Sequence, residues 1–289
     1  MPVNTLTPPL TEPVDSLGGF LRERRERLAP GPDASARRRT PGLRREEVAA
    51  RAHVSVAWYT WLEQGRGGPP SAEVLERLAR ALELDDAGRE MLFLLGQQRP
   101  PPLTPNADAT IVPPLLQGVL DGQPNSPAII KTPTWDVVAW NEAASAVLGD
   151  YGAVPAHARN VLRRLFGDDP HMRAMLPDWE DNARWAVSVF RIDVARGGGA
   201  PQAQALVAEL LAQSEDFRRI WAESEVRRHG IGTKRLVHSE AGPLALSYSS
   251  FGVDGSNGLS MIVFSPATAH DARAIETLIA RRRAANEQG

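Results

Sequence analysis

The residues best suited to bind an anion are arginines in the first quarter of the chain. Between Phe20 and Arg66 there are 11 arginines and no lysine against five glutamates and one aspartate, although the whole chain carries a formal charge of −2. Guanidinium groups match the oxygen geometry of phosphates. A basic segment in a near-neutral chain is typical of a nucleic-acid-binding module. A solvated helix whose arginines pair with glutamates would give the same charge pattern.

Other kinds of chemistry have little support in the sequence. The chain has no cysteine, which excludes disulfides, thiol catalysis and cysteine-bound metal centres. None of its six histidines stands three or four residues from another, so no pair shares a helix face as metal ligands. The segment GIGTKR lacks the third glycine of a dinucleotide fingerprint, and no Gly-x-Ser-x-Gly elbow occurs. We therefore expect no metal, no cofactor and no catalytic residues.

Five short helices are predicted in about 80 residues, which indicates a compact bundle. In the first, Leu17, Phe20, Leu21, Arg24 and Leu28 recur at helical spacing. Ser55 is the expected N-cap of the third helix and Gly65 its C-terminal stop. The five segments are LGGFLRERRERL, TPGLRREEVAARAHV, SVAWYTWLEQGR, PSAEVLERLARALEL and DDAGREMLFLLG.

A turn of about three residues separates the second and third helices. This arrangement is the helix-turn-helix unit, whose second helix enters the major groove of DNA. Tyr59 and Leu62 are three residues apart and share one face of the third helix. The residues predicted to project from the opposite side are Val56, Ala57, Thr60 and Trp61.

A proline-rich stretch from Gln97 to Pro114 should form a semi-rigid linker, because consecutive prolines fix the backbone as extended. Beyond it, PAIIKTPTWDVVAWNEAASAVLG predicts strand, turn, strand and a helix capped by Asn141, and residues 233–267 predict an antiparallel meander. The class expected is α+β, a five-helix bundle followed by a small antiparallel sheet packed by helices. The predicted divisions are a leader (1–16), the bundle (17–96), the linker (97–114), the second domain (115–268) and a C-terminal helix and tail (269–289).

The first region resembles the helix-turn-helix domain of phage-repressor-like (XRE-type) transcription regulators. The second resembles the PAS-like ligand-binding domain of MmyB-like regulators, through the segments DVVAWN, LPDW, SEDFRRIW and GTKRLVHSEAGPLALSY. The first resemblance is carried by Glu46, Glu47, Val48, Ala49, Val54, Ser55, Tyr59, Leu62, Glu63 and Gly65.

This resemblance implies double-stranded DNA as a partner, with α-helical side chains at base edges and arginines at phosphates. His53 stands where the family usually has glycine in a left-handed turn, and Trp61 stands where it commonly has a basic residue. The methyl groups of Val56 and Ala57 suit contact with thymine. The DNA-binding residues expected are Arg44, Arg45, Ser55, Val56, Ala57, Thr60, Trp61 and Arg66, with the run Arg37–Arg39 as a weaker candidate.

The second resemblance implies an apolar effector such as a fatty acid. Aromatic residues of this domain can line a pocket for it or simply fill the core. A carboxylate partner could come from Arg227, Arg228, Lys234, Arg235 or His238. The pocket residues expected are Trp140, Trp185, Phe190, Trp221, Arg228, His238 and Tyr248.

The functions that these patterns leave open differ in class. We expect a cytoplasmic homodimer that binds DNA under control of the effector, because one helix-turn-helix reads few base pairs. The alternatives are a helix-turn-helix protein that acts through protein partners, and a PAS-like enzyme with a bound cofactor. No run of about 18 apolar residues occurs, so no membrane-spanning segment is predicted.

Overall fold

The computed structural model describes residues 16–29, 42–102, 112–167, 169–196, 201–223, 232–256 and 258–287. The chain divides into two compact units, Met1–Pro101 and Pro102–Gly289, each with its own core. Within the described residues, no helix is both long enough and apolar enough to cross a membrane.

The first unit is the predicted bundle of five helices. Its core is formed by the apolar stripes expected from the sequence, and Leu21, Val48, Tyr59 and Leu75 are fully buried in it. The helices are α1 (Leu17–Arg27), α2 (Arg45–Arg51), α3 (Val56–Glu63), α4 (Ala72–Ala81) and α5 (Asp86–Gln97).

The turn between α2 and α3 has the geometry that the sequence predicts. His53 adopts a left-handed conformation with φ 53°, which histidine tolerates better than bulkier or branched residues. Ser55 is the N-cap of α3, and its Oγ accepts a hydrogen bond from Trp58 N at 3.2 Å. The start of α3, and therefore the direction of its exposed face, is fixed by these two residues.

A buried ion pair connects α1 to the end of α3. Arg25 Nε donates to Glu63 Oε1 at 2.6 Å, and the two side chains are only 7% and 1% exposed. Arg25 also donates to the carbonyl of Leu43 at 2.9 Å, just before α2. Burial alone would raise the pKa of Glu63, but hydrogen bonds from Arg25 and Arg45 lower it below its usual range. The carboxylate is therefore charged and holds three helices together.

Two glycines allow close approach of backbone segments around the ion pair between Arg25 and Glu63. A Cβ on Gly18 in α1 would lie 2.3 Å from the carbonyl oxygen of Glu63. Gly42 has φ +74°, and a Cβ there would lie 2.4 Å from the carbonyl oxygen of Glu26. Only glycine fits such a close approach, and Gly42 also needs a conformation that other residues rarely adopt. The close packing brings Arg25 within reach of Glu63.

The second unit contains a five-stranded antiparallel sheet in the order β2-β1-β5-β4-β3, which confirms the predicted α+β class. One face packs against the main core through Ile129, Leu246 and Phe264. The opposite face carries Ile130 and a smaller cluster. The strands are β1 (Ala128–Lys131), β2 (Val137–Trp140), β3 (Gly232–His238), β4 (Gly242–Gly252) and β5 (Ser260–Pro266).

Eight helices of this unit pack against the sheet or against each other within the described residues. The sequence did not predict α6 and α9, two short helices that begin with proline. The pattern over Pro155–Phe166 predicts one helix, but the structure has a 3-10 turn at Ala156–Ala158 followed by α8 from Val161. The C-terminal helix buries Ile275, Leu278 and Ile279 in the core of this unit. The helices are α6 (Pro114–Asp121), α7 (Glu142–Val147), α8 (Val161–Phe166), α9 (Pro170–Met175), α10 (Trp179–Arg196), α11 (Pro201–Gln213), α12 (Glu215–Ala222) and α13 (Ala269–Asn286).

Replacement of Glu63 by glutamine should destabilise the first unit by about 3–5 kcal/mol, because it leaves the buried Arg25 with only the more exposed Glu26, 3.4 Å away, as a counter-charge. The wild-type stabilisation should be complete above the ordinary glutamate pKa, roughly 4.3, and lost as the pH falls through the lower folded pKa. Hydrogen exchange of α1 and α3 amides measures both effects. The double variant R25M/E63M should recover much of the loss, and equal protection in E63Q and wild type would contradict a structural role for the pair.

Candidate nucleic-acid interface and ligand cavity

The exposed face of α3 carries the side chains predicted to face DNA. Val56 is 41% exposed, Trp61 is 54% exposed and Ala57 is exposed between them. Thr60 is half-buried, and its Oγ1 donates to the carbonyl of Val56 at 2.8 Å. The face is opposite Tyr59, which is fully buried. The four predicted residues are thus together on one accessible surface.

The predicted arginines differ in the partners that they have. Arg44 and Arg66 are exposed, and neither forms an ion pair with another described residue. Arg45 instead donates from Nε to Glu63 Oε2 at 2.7 Å and joins the buried pair. Arg37–Arg39 lie outside the described residues. Of the predicted cations that the structure describes, Arg44 and Arg66 are the two whose side chains have no ion-pair partner and are available to a phosphate.

A cavity of about 310 Å³ lies in the second unit between the sheet and helices α8, α9 and α10. Two of the predicted pocket residues, Trp185 and Tyr248, line it, with their rings edge to face at 5.3 Å. Most of the wall is apolar, which suits a hydrocarbon chain. Its apolar and aromatic residues are Ile129, Trp135, Leu148, Tyr151, Val161, Leu165, Met172, Met175, Leu176, Trp185, Ala186, Tyr248, Ile262 and Phe264.

Lys131 is a buried cation of this cavity with an internal partner. Its Nζ lies 3.2 Å from Asp193 Oδ2 and 4.5 Å from the centre of the Trp135 ring. Trp135 Nε1 donates to the same aspartate oxygen at 2.8 Å. The backbone of Trp135 has φ 65°, an uncommon conformation for a bulky residue. Burial lowers the pKa of Lys131 to about 8, although Asp193 opposes the shift. Lys131 is therefore compensated within the fold.

Lys234 is the second lysine of the cavity and has a different electrostatic environment. It projects from β3, opposite Leu246 of β4, and the described residues offer it no ion-pair partner. Burial lowers its pKa to about 8, and the positive charge of Arg164 adds to the shift. The Arg164 guanidinium lines the same cavity and donates to the carbonyl of Leu148 at 3.2 Å. Neither of these two cations has an ion-pair partner among the described residues.

Acidic side chains also lie along the cavity wall. Asp178 and Asp181, both exposed, line it near the start of α10. Arg235 Nη1 lies 3.9 Å from Asp178 Oδ2, and the Arg235 side chain is 74% exposed. No group of His, Asp or Glu among the described residues could hold a metal ion.

Four of the predicted pocket residues lie elsewhere in the second unit, and a fifth cannot be assessed. The Trp140 ring lies 5.5 Å from Tyr151, Phe190 is fully buried behind Trp135, and Trp221 stacks on Phe217. His238 Nε2 lies 3.0 Å from the carbonyl of Ala146 and lines a different, more open groove. Arg228 lies outside the described residues. Residue type alone did not separate the pocket from the core.

Lys131, Arg164 and the methionines of α9 line the cavity but were not predicted to do so. The strand AIIK carried a signal for the first, because strand alternation puts Lys131 on the same face as Ile129. A lysine on the inward face of a buried strand indicates a polar function inside the fold. Met172 and Met175 gave no such signal, since α9 was not predicted.

Comparison with known protein families agrees with both halves of the structure. Residues 16–92 match a helix-turn-helix domain, and residues 112–278 match the MmyB-like transcription regulator ligand binding domain. None of the curated proteins compared with the chain matches it. A helix-turn-helix followed by this domain is the organisation of a DNA-binding transcription regulator that is modulated by a ligand. Since the second match covers more than half of the chain, the protein belongs to the family of MmyB-like transcription regulators.

Proposed function

We propose that the effector is an apolar molecule with an anionic head, such as a fatty acid, and that it binds in the cavity of the second unit. The observation that carries the proposal is Lys234, a cation in an apolar cavity that has no acidic partner among the described residues. A buried charge is costly unless it is paired. A carboxylate placed between Lys234 and Arg164 would supply the missing charge.

The size of the cavity limits the chain of such an effector. A volume of about 310 Å³ is at the small end of the range for ligand pockets, so it suits a hydrocarbon chain of medium length. Decanoate is therefore a suitable probe. Decanol has the same chain without the charge, so it separates the contribution of the head from that of the apolar wall.

Decanoate affinity should fall as the pH rises through about 8, because the protonated form of Lys234 is the one that attracts a carboxylate. Below about pH 7 Lys234 is charged, so decanoate affinity should no longer change with pH. Decanol should show no comparable fall. Isothermal titration calorimetry at several pH values measures both ligands.

Lys234→Met should weaken decanoate binding by roughly tenfold or more, as expected for loss of a charged hydrogen bond, and should reduce the pH dependence. The pKa of Lys131 is also about 8. If decanoate affinity still falls with pH in the K234M variant, the remaining pH dependence belongs to Lys131. Arg273→Met is the control, because it removes an exposed charge of α13 that does not line the cavity. Equal affinity for decanoate and decanol would overturn the proposal.

We further propose that the exposed face of α3 binds the major groove while Arg44 and Arg66 bind phosphates on either side. The support is their exposure, together with the pairing of Arg45 inside the fold. Each phosphate contact contributes about one unit to the slope of log affinity against log salt. Two protomers on neighbouring half-sites would double the base contacts, so we propose a homodimer with two chains on each operator duplex.

Arg44→Glu and Arg66→Glu should each lower DNA affinity and reduce the salt slope by about one unit. Fluorescence polarisation across a salt series measures both quantities, and the same titration gives the stoichiometry. Arg22→Glu is the control, because Arg22 is 64% exposed on α1 and pairs with Glu26. Arg45 is unsuitable for such a test, since its replacement would disturb Glu63.

A helix-turn-helix that acts on protein partners is the second candidate, favoured by the exposed Trp61. Under that alternative, the full chain would show no sequence preference over random duplex at any salt concentration. The Arg44→Glu and Arg66→Glu variants would then bind the protein partner as well as the wild type does.

A further inference from the structure

The exposed surface of α3 is apolar where a DNA-reading helix often carries polar side chains. Val56, Ala57 and Trp61 form this surface, called here the apolar strip, and Ala57 and Trp61 are four residues apart on one side of the helix. Val56 and Trp61 are among the large apolar residues that the first unit leaves exposed. Their apolar groups are therefore available to another molecule.

The polar groups near the strip already have local partners. Ser55 Oγ accepts from Trp58 N at 3.2 Å, and Thr60 Oγ1 donates to the carbonyl of Val56 at 2.8 Å. From Val56 to Glu63 the helix contains no arginine, lysine, asparagine or glutamine. These are the side chains that make paired hydrogen bonds to guanine or adenine.

Gln64 is the nearest residue of that kind, at the C-cap of α3. It is eight positions after Val56, which corresponds to about 12 Å along a helix. In helix-turn-helix complexes the N-terminal residues of the recognition helix contact the base edges. In the proposed complex, the side chains that the N-terminal half of α3 presents to the bases are therefore mainly apolar.

The C5-methyl group of thymine is the one apolar group that the base edges present in the major groove. We propose that the apolar strip recognises thymine methyl groups, with Val56 in direct contact and Trp61 covering the adjoining pyrimidine. This inference rests on the proposed DNA binding and specifies what the protein reads: a half-site whose thymines are distinguished by their methyl groups. Small side chains at Val56 and Ala57 allow the helix to approach the floor of the groove.

The test begins with selection of the full-length protein's preferred sequence from a random duplex library. The selected duplex is then synthesised with uracil in place of each thymine in turn, which removes one methyl group and keeps the base pairing. Loss of a contacted methyl group should weaken binding about fourfold, from the usual value of a buried methylene. Fluorescence polarisation at one fixed salt concentration measures the ratio of the two affinities.

Val56→Ser separates a direct contact from an effect of uracil on the shape of the duplex. The serine side chain lacks both methyl groups of Val56. In this variant, the affinities for the uracil and thymine duplexes should therefore become nearly equal at the position that Val56 contacts. Val119→Ser is the matched control, since Val119 is 42% exposed on α6 of the other unit. That variant should keep the wild-type ratio.

The outcomes distinguish this inference from the proposed function. A selected sequence with a thymine preference that depends on Val56 supports both. A selected sequence that binds equally well with uracil, or a ratio unchanged in V56S, overturns methyl recognition and leaves DNA binding intact. Failure to select any sequence overturns the proposed DNA binding and this inference with it. The uracil arm needs only wild-type protein, so a variant that fails to fold does not prevent a decision.

Discussion

The buried contact between Arg25 and Glu63 is the interaction on which the DNA-reading surface depends. Arg25 donates to both oxygens of the carboxylate and Arg45 to one of them, so the charges are compensated inside the fold. Because Arg25 also holds the carbonyl of Leu43, the contact joins α1, the start of α2 and the end of α3. The N-cap at Ser55 fixes the other end of α3. Together they determine which residues of that helix face outward.

Lys131, which is buried, and Lys234, which is half-buried, have different charged neighbours, and this difference is the basis of the proposed role of the second unit. Lys131 forms an ion pair with Asp193 and lies against the Trp135 ring, so its charge is already balanced within the fold. Lys234 has Arg164 as its charged neighbour, and two like charges repel each other. Two neighbouring cations without an acidic ion-pair partner are electrostatically unfavourable. An anionic ligand would remove the imbalance, and this is why we place the head of the effector beside these two cations.

Much of the fold could be predicted from local patterns. Helical periodicity together with caps such as Ser55 and Asn141 located the bundle and α7, and alternation located the meander. Such features depend on residues close in sequence. The helix pattern placed Arg24 in the apolar stripe of α1, whereas Arg25 is the buried arginine. Its partner is 38 residues away, so no local pattern reveals it.

The candidate sites were predictable only where exposure follows from helix geometry. The outward face of α3 was predicted because its buried face was recognised through Tyr59 and Leu62. The cavity was not, because Trp140 and Trp185 are the same residue type and differ only in their tertiary neighbours. Short helices such as α9 give too few residues for a periodic pattern. Cavity residues contributed by such elements require the three-dimensional structure.

The central claim is that an anionic ligand in the cavity changes the affinity of the protein for DNA. The most direct test is to measure the DNA dissociation constant with saturating decanoate, with saturating decanol and without ligand. The account predicts that decanoate shifts the constant and decanol does not, and that bound DNA changes decanoate affinity by the same factor. The same dissociation constant under all three conditions would contradict the account.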